Sequence, residues 1–198
     1  MLNHVVAIAA SLGGLEALSY ILKGLPANFS APIAIVQHLD PYARSMLPFL
    51  LARCTLLLVK HAESGDALHA GTVYIAPPNW HVLVNPDASL SLAQTEKLNF
   101  TRPSADVLFE SLAASYQQRA IAVVLTGRGQ DGAVGIQKVK QAGGLTIAQD
   151  PQTASFAGMP TAAIQTKSID LILPLNQIAP TLVKLVQATR EMTSDGLT

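Results

Sequence analysis

The sequence predicts an α/β fold: a three-layer α/β/α arrangement around a mainly parallel, doubly wound sheet with a β-hairpin insertion. Three observations predict it. Short runs of β-branched and aliphatic residues alternate with longer stretches of helical period, the pattern of βα units whose strands are buried on both faces. Glycines stand where such runs pass into helical stretches, as Gly13-Gly14 and again between Gly127 and Gly132. The composition, 49% hydrophobic and 13% charged over 198 residues, supplies the apolar side chains needed to cover two sheet faces.

Val5 to Ala9 reads as the first strand, and Gly14 to Lys23 as a helix with Leu15, Leu18 and Leu22 at helical spacing. Pro32 to Gln37 is the second strand, and a helix follows over Ser45 to Ala52. Between residues 56 and 95 the short runs Leu56 to Lys60, Thr72 to Ile75, His81 to Val84 and Ser89 to Ala93 are broken by Ser64-Gly65-Asp66, Pro77-Pro78-Asn79 and Asn85-Pro86-Asp87. Such breaks are turn chemistry, so this region is expected to be a β-rich insertion with hairpins. A helix from Ser104 to Arg119 and a strand from Ile121 to Leu125 lead into a glycine-rich loop. Next come a helix through Ile136 and Val139 ended by Gly143-Gly144, and a strand from Leu145 to Ala148. A helix starting near Pro160, a strand over Leu171 to Leu173 and a helix carrying Ile178, Leu182, Leu185 and Val186 complete the pattern. Residues 1–190 are thus expected to form one domain and 191–198 a polar tail.

The 13 Lys and Arg balance 13 Asp and Glu, with no run of like charge. This excludes the footprint of a non-specific nucleic-acid or anionic-membrane binder. Cys54 is the single cysteine, so an internal disulfide is ruled out and a buried small hydrophobe is expected there. No Lys or Arg precedes the apolar run at Val5, which argues against a signal peptide, and no run is long enough to span a membrane. A cytoplasmic protein is expected. His4, His61, His69 and His81 are scattered without ligand-like spacing, so no metal site is expected.

Three groups with catalytic chemistry lie where strand gives way to loop: Ser11 after the first strand, His38 after the second, and Asp131 in the loop after the Ile121 to Leu125 strand. Clefts of open parallel sheets form at the carboxyl ends of strands, where residues far apart in the chain can meet. Ser11 lies on a strand-to-helix turn with glycines behind it, which exposes a hydroxyl as in a nucleophile elbow and sets helix N–H groups beside it. A serine needs a base, which His38 can be, and a carboxylate such as Asp131 can orient that base. Each also has a plain structural use: Ser11 as a helix cap or turn, His38 as a strand-end histidine, Asp131 as a turn residue or N-cap. Gly127-Arg128-Gly129-Gln130-Asp131-Gly132, with Asp150 eighteen residues beyond Gly132, also fits a dinucleotide-binding fingerprint. In that reading the Asp131 carboxylate repels the phosphates it would face.

At these residues the sequence resembles the catalytic domain of the CheB family, the chemotaxis protein-glutamate methylesterases. The resemblance is carried by Ala7 to Gly14 (AIAASLGG), Val36-Gln37-His38, Gly71 to Pro78 (GTVYIAPP), Arg102 to Phe109 (RPSADVLF), Leu125 to Gly132 (LTGRGQDG), and Gln149 to Ala154 continuing to Gly158-Met159-Pro160. It implies that Ser11 is the nucleophile, His38 the base and Asp131 its orienting acid. Backbone N–H groups at Leu12 and Arg128 are expected to hold the oxyanion, and no cofactor is expected. The implied substrates are glutamate methyl esters on the cytoplasmic helices of chemoreceptors, with glutamine deamidation as a related activity.

The chain departs from the family pattern in four places: Leu12 stands for a usual Thr, Ala9 for a Gly, Leu39-Asp40 for Met-Pro, and Arg128 for a Met. These departures leave open a non-catalytic receptor-binding module of the same fold. The receiver domain that often precedes this catalytic domain has no counterpart before the first strand, so a constitutive enzyme, a regulator in trans or a fragment of a longer protein is expected.

Overall fold

The computed structural model describes residues 4–39, 45–98 and 101–194. Its centre is a seven-stranded, wholly parallel sheet in the order β3-β4-β2-β1-β7-β8-β9. The strands are β1 (Val5–Ala10), β2 (Ile33–Gln37), β3 (Leu58–His61), β4 (Thr72–Ile75), β7 (Ala120–Val124), β8 (Leu145–Gln149) and β9 (Leu171–Leu173), with β5 (His81–Val84) and β6 (Leu90–Ala93) forming a separate antiparallel hairpin. Helices α1 (Gly14–Lys23), α2 (Leu47–Ala52), α3 (Ala105–Tyr116), α4 (Ala133–Gln141), α5 (Gly158–Gln165) and α6 (Leu175–Ser194) cover its faces.

The period of two along β1 explains the layers. Val5, Ala7 and Ala9 pack into one core with Leu108, Phe109 and Leu112 of α3 and Ile136 and Val139 of α4. Val6, Ile8 and Ala10 pack into the other with Leu18, Ile21 and Leu22 of α1 and Ile178 and Leu182 of α6. A strand buried on both faces must be apolar at every position, and all six residues of β1 are buried.

The expected fold class holds, but residues 56–95 are organised differently from the sequence reading. Only β5 and β6 form a hairpin; β3 and β4 join the main sheet in parallel, β4 beside β2. Thr72–Ile75 is buried throughout, as a sheet-interior strand is. The turn residues Ser64-Gly65-Asp66 sit in the crossover loop between β3 and β4. That loop docks on the hairpin through Gly65 N–H to Leu90 C=O at 2.8 Å and Leu90 N–H to Asp66 C=O at 2.8 Å. Cys54 is half-buried and its thiol faces Leu50 C=O, so the expectation of a buried hydrophobe is corrected. The last helix continues to Ser194, past Glu191 where the sequence places the start of the polar tail. Among the described residues no helix is long and apolar enough to cross a membrane.

From β1 the chain winds outward in both directions, through β2 on one side and β7 on the other. Strand order reverses there, and the crevice opens above the carboxyl ends of these three strands.

Candidate active site

Ser11 and His38 lie just past the carboxyl ends of β1 and β2, and Asp131 lies at the far end of the loop that leads from β7 to α4, the three strands being those that meet at that reversal. The ladder carries Ser11 and His38 to the same level: Ala10 is in register with Gln37, and His38 N–H donates to Ala10 C=O at 3.0 Å. On the other side Ser11 N–H donates to Thr126 C=O at 3.0 Å. The Ser11 Cβ rests against Gly127, where a side chain would come within 2.8 Å of it.

The turn after Ser11 is built on Gly13, at φ 76°, in the left-handed region. A Cβ there would also lie 2.9 Å from the Ser155 Cβ, so both conformation and space require glycine. Thr126 Oγ1 donates to Leu12 C=O at 3.0 Å and fixes the turn from the β7 side. Among the described residues the N–H groups of Leu12 and Arg128 have no hydrogen-bond acceptor.

His38 Nε2 lies 2.7 Å from Asp131 Oδ2, and Asp131 is almost fully buried. With Nε2–H donating to the carboxylate, Nδ1 is the ring nitrogen left to accept a proton. Asp131 is gripped from several sides. Ser104 Oγ donates to Oδ1 at 2.7 Å, and the α3 amides of Ala105 and Asp106 donate at 2.7 and 3.2 Å. Thr101 Oγ1 stands 3.3 Å from Oδ2. Burial works to raise the Asp131 carboxyl, but the bonds from His38, Ala105 N–H and Ser104 outweigh it and hold the group below the ordinary carboxylate range. The positive end of α3 acts in the same sense.

Behind this shell His81, fully buried, accepts the Ser104 N–H at Nδ1 (3.2 Å) and donates from Nε2 to Glu96 C=O (3.1 Å). Accepting at Nδ1 while donating from Nε2 is the pattern of a neutral imidazole in one tautomer; burial lowers its pKa in the same sense, against the bond to Glu96 C=O. Sequence reasoning missed Ser104, His81, Asp106 and Gln37 as members of this site. Ser104 is an N-cap type just after Pro103, and Gln37, Ser104 and Asp106 all stand in segments that carry the family resemblance, but nothing in the sequence gives the contacts they make.

The glycine-rich loop 125–132 does join a strand to a helix, as a dinucleotide fingerprint requires. Its Asp131, however, is turned onto His38 and α3. Among the described residues no group of three or more His, Cys, Asp or Glu is placed to hold a metal ion. Asp40, a departure noted in the sequence, lies outside the described residues.

The CheB methylesterase family model matches residues 6–182. The chain belongs to this family. A relative from Leptospira interrogans, whose name gives it protein-glutamate methylesterase and protein-glutamine glutaminase activities, is 41% identical over 188 residues, covering 95% of this chain and 97% of its own length. A protein-glutamate methylesterase/protein-glutamine glutaminase from Thermotoga maritima is 39% identical over 187 residues, covering 93% of this chain and 54% of that longer protein. The crystal structure of the Thermotoga maritima CheB methylesterase catalytic domain superposes with a TM-score of 0.88 at 38% identity, over 92% of this chain and 98% of that one. Within the CheB methylesterase family the dinucleotide reading has no support, and the fold class expected from the sequence is the observed one.

Proposed function

We propose that this protein is a serine esterase that hydrolyses glutamate methyl esters on a polypeptide, releasing methanol. Ser11 Oγ attacks the ester carbonyl while His38 Nδ1 takes its proton. His38 then returns that proton to the leaving methoxide, and water repeats the cycle on the acyl-enzyme. Asp131 holds the imidazole in the required tautomer and stabilises the imidazolium. The N–H groups of Leu12 and Arg128 receive the oxyanion. The same groups would hydrolyse a glutamine side-chain amide, with ammonia as the leaving group.

The observation that carries this reading is the 2.7 Å contact between His38 Nε2 and the buried Asp131 carboxylate, made by a histidine one strand over from Ser11. The rim of the site supports a polymeric substrate. Leu12 and Leu39, the neighbours of Ser11 and His38, are both exposed, a surface suited to the flank of a helix presenting one esterified side chain. The methylated cytoplasmic helices of chemoreceptors fit this description and place the reaction in the cytoplasm, with any regulator acting in trans.

Methanol release from a methylated receptor, compared between wild type and Ser11→Ala, tests the proposal. The variant is expected to lose on the order of 10⁴-fold in rate. Equal rates would reject the serine mechanism.

A further inference from the structure

The ladder between β1 and β2 ends at the bond from His38 N–H to Ala10 C=O. Beyond it the chains part, Ser11 turning through Gly13 into α1 and His38 leaving along the loop after β2. Among the described residues no backbone bond joins Ser11 to His38. The Gln37 side chain supplies the link instead: its Nε2 donates to Ser11 C=O at 2.7 Å and to His38 C=O at 3.0 Å. An amide nitrogen carries two hydrogens, so it can make both bonds at once.

Gln37 is only 5% exposed, and its position is enforced. The side-chain oxygen faces Gly14, where a Cβ would come within 2.0 Å of it. Gly14 N–H donates to the same Ser11 C=O at 2.9 Å. Both donors therefore fix the peptide unit between Ser11 and Leu12. In a trans peptide the C=O and N–H point in opposite directions, so holding the Ser11 oxygen aims the Leu12 N–H the other way.

We propose that Gln37 is a positioning residue, a side-chain rung that sets the spacing of nucleophile and base and orients the Leu12 N–H toward the oxyanion. This rests on the serine-esterase reading of the same site. Gln37→Leu keeps comparable bulk and removes the donors. Gly14→Ala leaves every donor in place and displaces the Gln37 side chain, while its methyl group also presses on the Ala10 Cβ at 2.8 Å; a loss it shares with Gln37→Leu, which leaves Ala10 untouched, is the one that reports on the clamp.

For a peptide bearing a glutamate methyl ester, both variants should lose roughly 10- to 100-fold in kcat with KM held within about twofold, as misdirecting an oxyanion donor does. The labelling rate of Ser11 by a fluorophosphonate should fall in parallel, while far-ultraviolet circular dichroism shows native secondary structure. A loss in KM alone, or wild-type kcat and labelling in a folded variant, would overturn the clamp while Ser11→Ala remains inactive. If Ser11→Ala instead keeps wild-type methanol release, the serine reading falls and the clamp with it.

Discussion

Asp131 and Asp106 each cap the helix that the other begins. Asp131, just before α4, accepts the Ala105 and Asp106 amides at the start of α3. Asp106, in the first turn of α3, accepts the Gly135 amide in the first turn of α4 at 2.7 Å. A Cβ at Gly135 would lie 3.1 Å from the Asp106 Cα, so the two helices meet almost backbone to backbone. The carboxylate facing His38 is thereby part of the packing of α3 on α4, and orientation of the His38 ring is tied to the integrity of the fold.

That tie makes Asp131→Ala costly in two ways. Removing the carboxylate leaves His38 without an orienting partner, and a rate loss of about 10³- to 10⁴-fold is expected. It also leaves the buried Ser104 hydroxyl and the first amides of α3 unpaired, which should destabilise the fold by roughly 2 kcal/mol. Methanol release and urea unfolding of one preparation check both. Lost activity at wild-type stability would contradict the capping role.

Asp106 titrates in the opposite sense to Asp131. Burial pushes its carboxyl up to about 6, opposed by the Gly135 amide and reinforced by the Asp131 charge. A carboxyl raised above its unfolded value near 4 contributes stability that is complete below about pH 4 and is lost as pH rises through about 6. Asp131, lowered on folding, contributes stability above about pH 4 that is lost as pH falls below it. Asp106→Asn stays neutral throughout, so its unfolding free energy relative to wild type should rise between pH 4 and about 7. A difference that does not change over that range, measured by urea titration, would refute the assignment.

How much of this site could be read from the chain follows from which contacts are local. That Ser11, His38 and Asp131 come to one edge of the sheet was legible because each lies in a loop after a strongly apolar run, and parallel strands bring their carboxyl ends together. The fate of Thr72–Ile75 was not legible, because a short apolar run flanked by turn residues reads equally as a hairpin strand or a sheet-interior strand. Ser104 and His81 were hidden for another reason. Their roles depend on α3 lying against the loop before α4 and against β5, contacts between segments more than twenty residues apart. The side chain of Gln37 belongs to a buried strand end whose sequence says only that one polar residue follows four apolar ones.

Ser104→Ala isolates the shell from the carboxylate. Ser104 is fully buried, its Oγ donating to Asp131 and its N–H to His81. The variant keeps the N–H bond and the carboxylate and loses one donor, so kcat should fall by about 10-fold with stability reduced by roughly 1–2 kcal/mol. With one donor fewer the Asp131 carboxyl should also rise, moving the acid limb of stability to higher pH. A folded variant with unchanged kcat and an unchanged acid limb would remove Ser104 from the site.

Arg128 is expected to bear on which ester is chosen. Its guanidinium lies 5.1 Å above the Phe156 ring, and the side chain is exposed with no ion-pair partner among the described residues. Stacking on an aromatic face limits the arginine's freedom without neutralising it, and Gly127, its neighbour, touches Ser11. A fixed cation at this rim favours a substrate segment carrying Asp or Glu beside the esterified residue. Exposed ion pairs are worth up to about 1 kcal/mol, so Arg128→Met should raise KM by about 2- to 5-fold for an ester peptide with acidic flanks. The same peptide with neutral flanks should be unaffected, and the difference should shrink as salt shortens the range of the interaction. Kinetics of the two peptides at low and high ionic strength decide it; equal changes in KM for both would show that the guanidinium does not read charge.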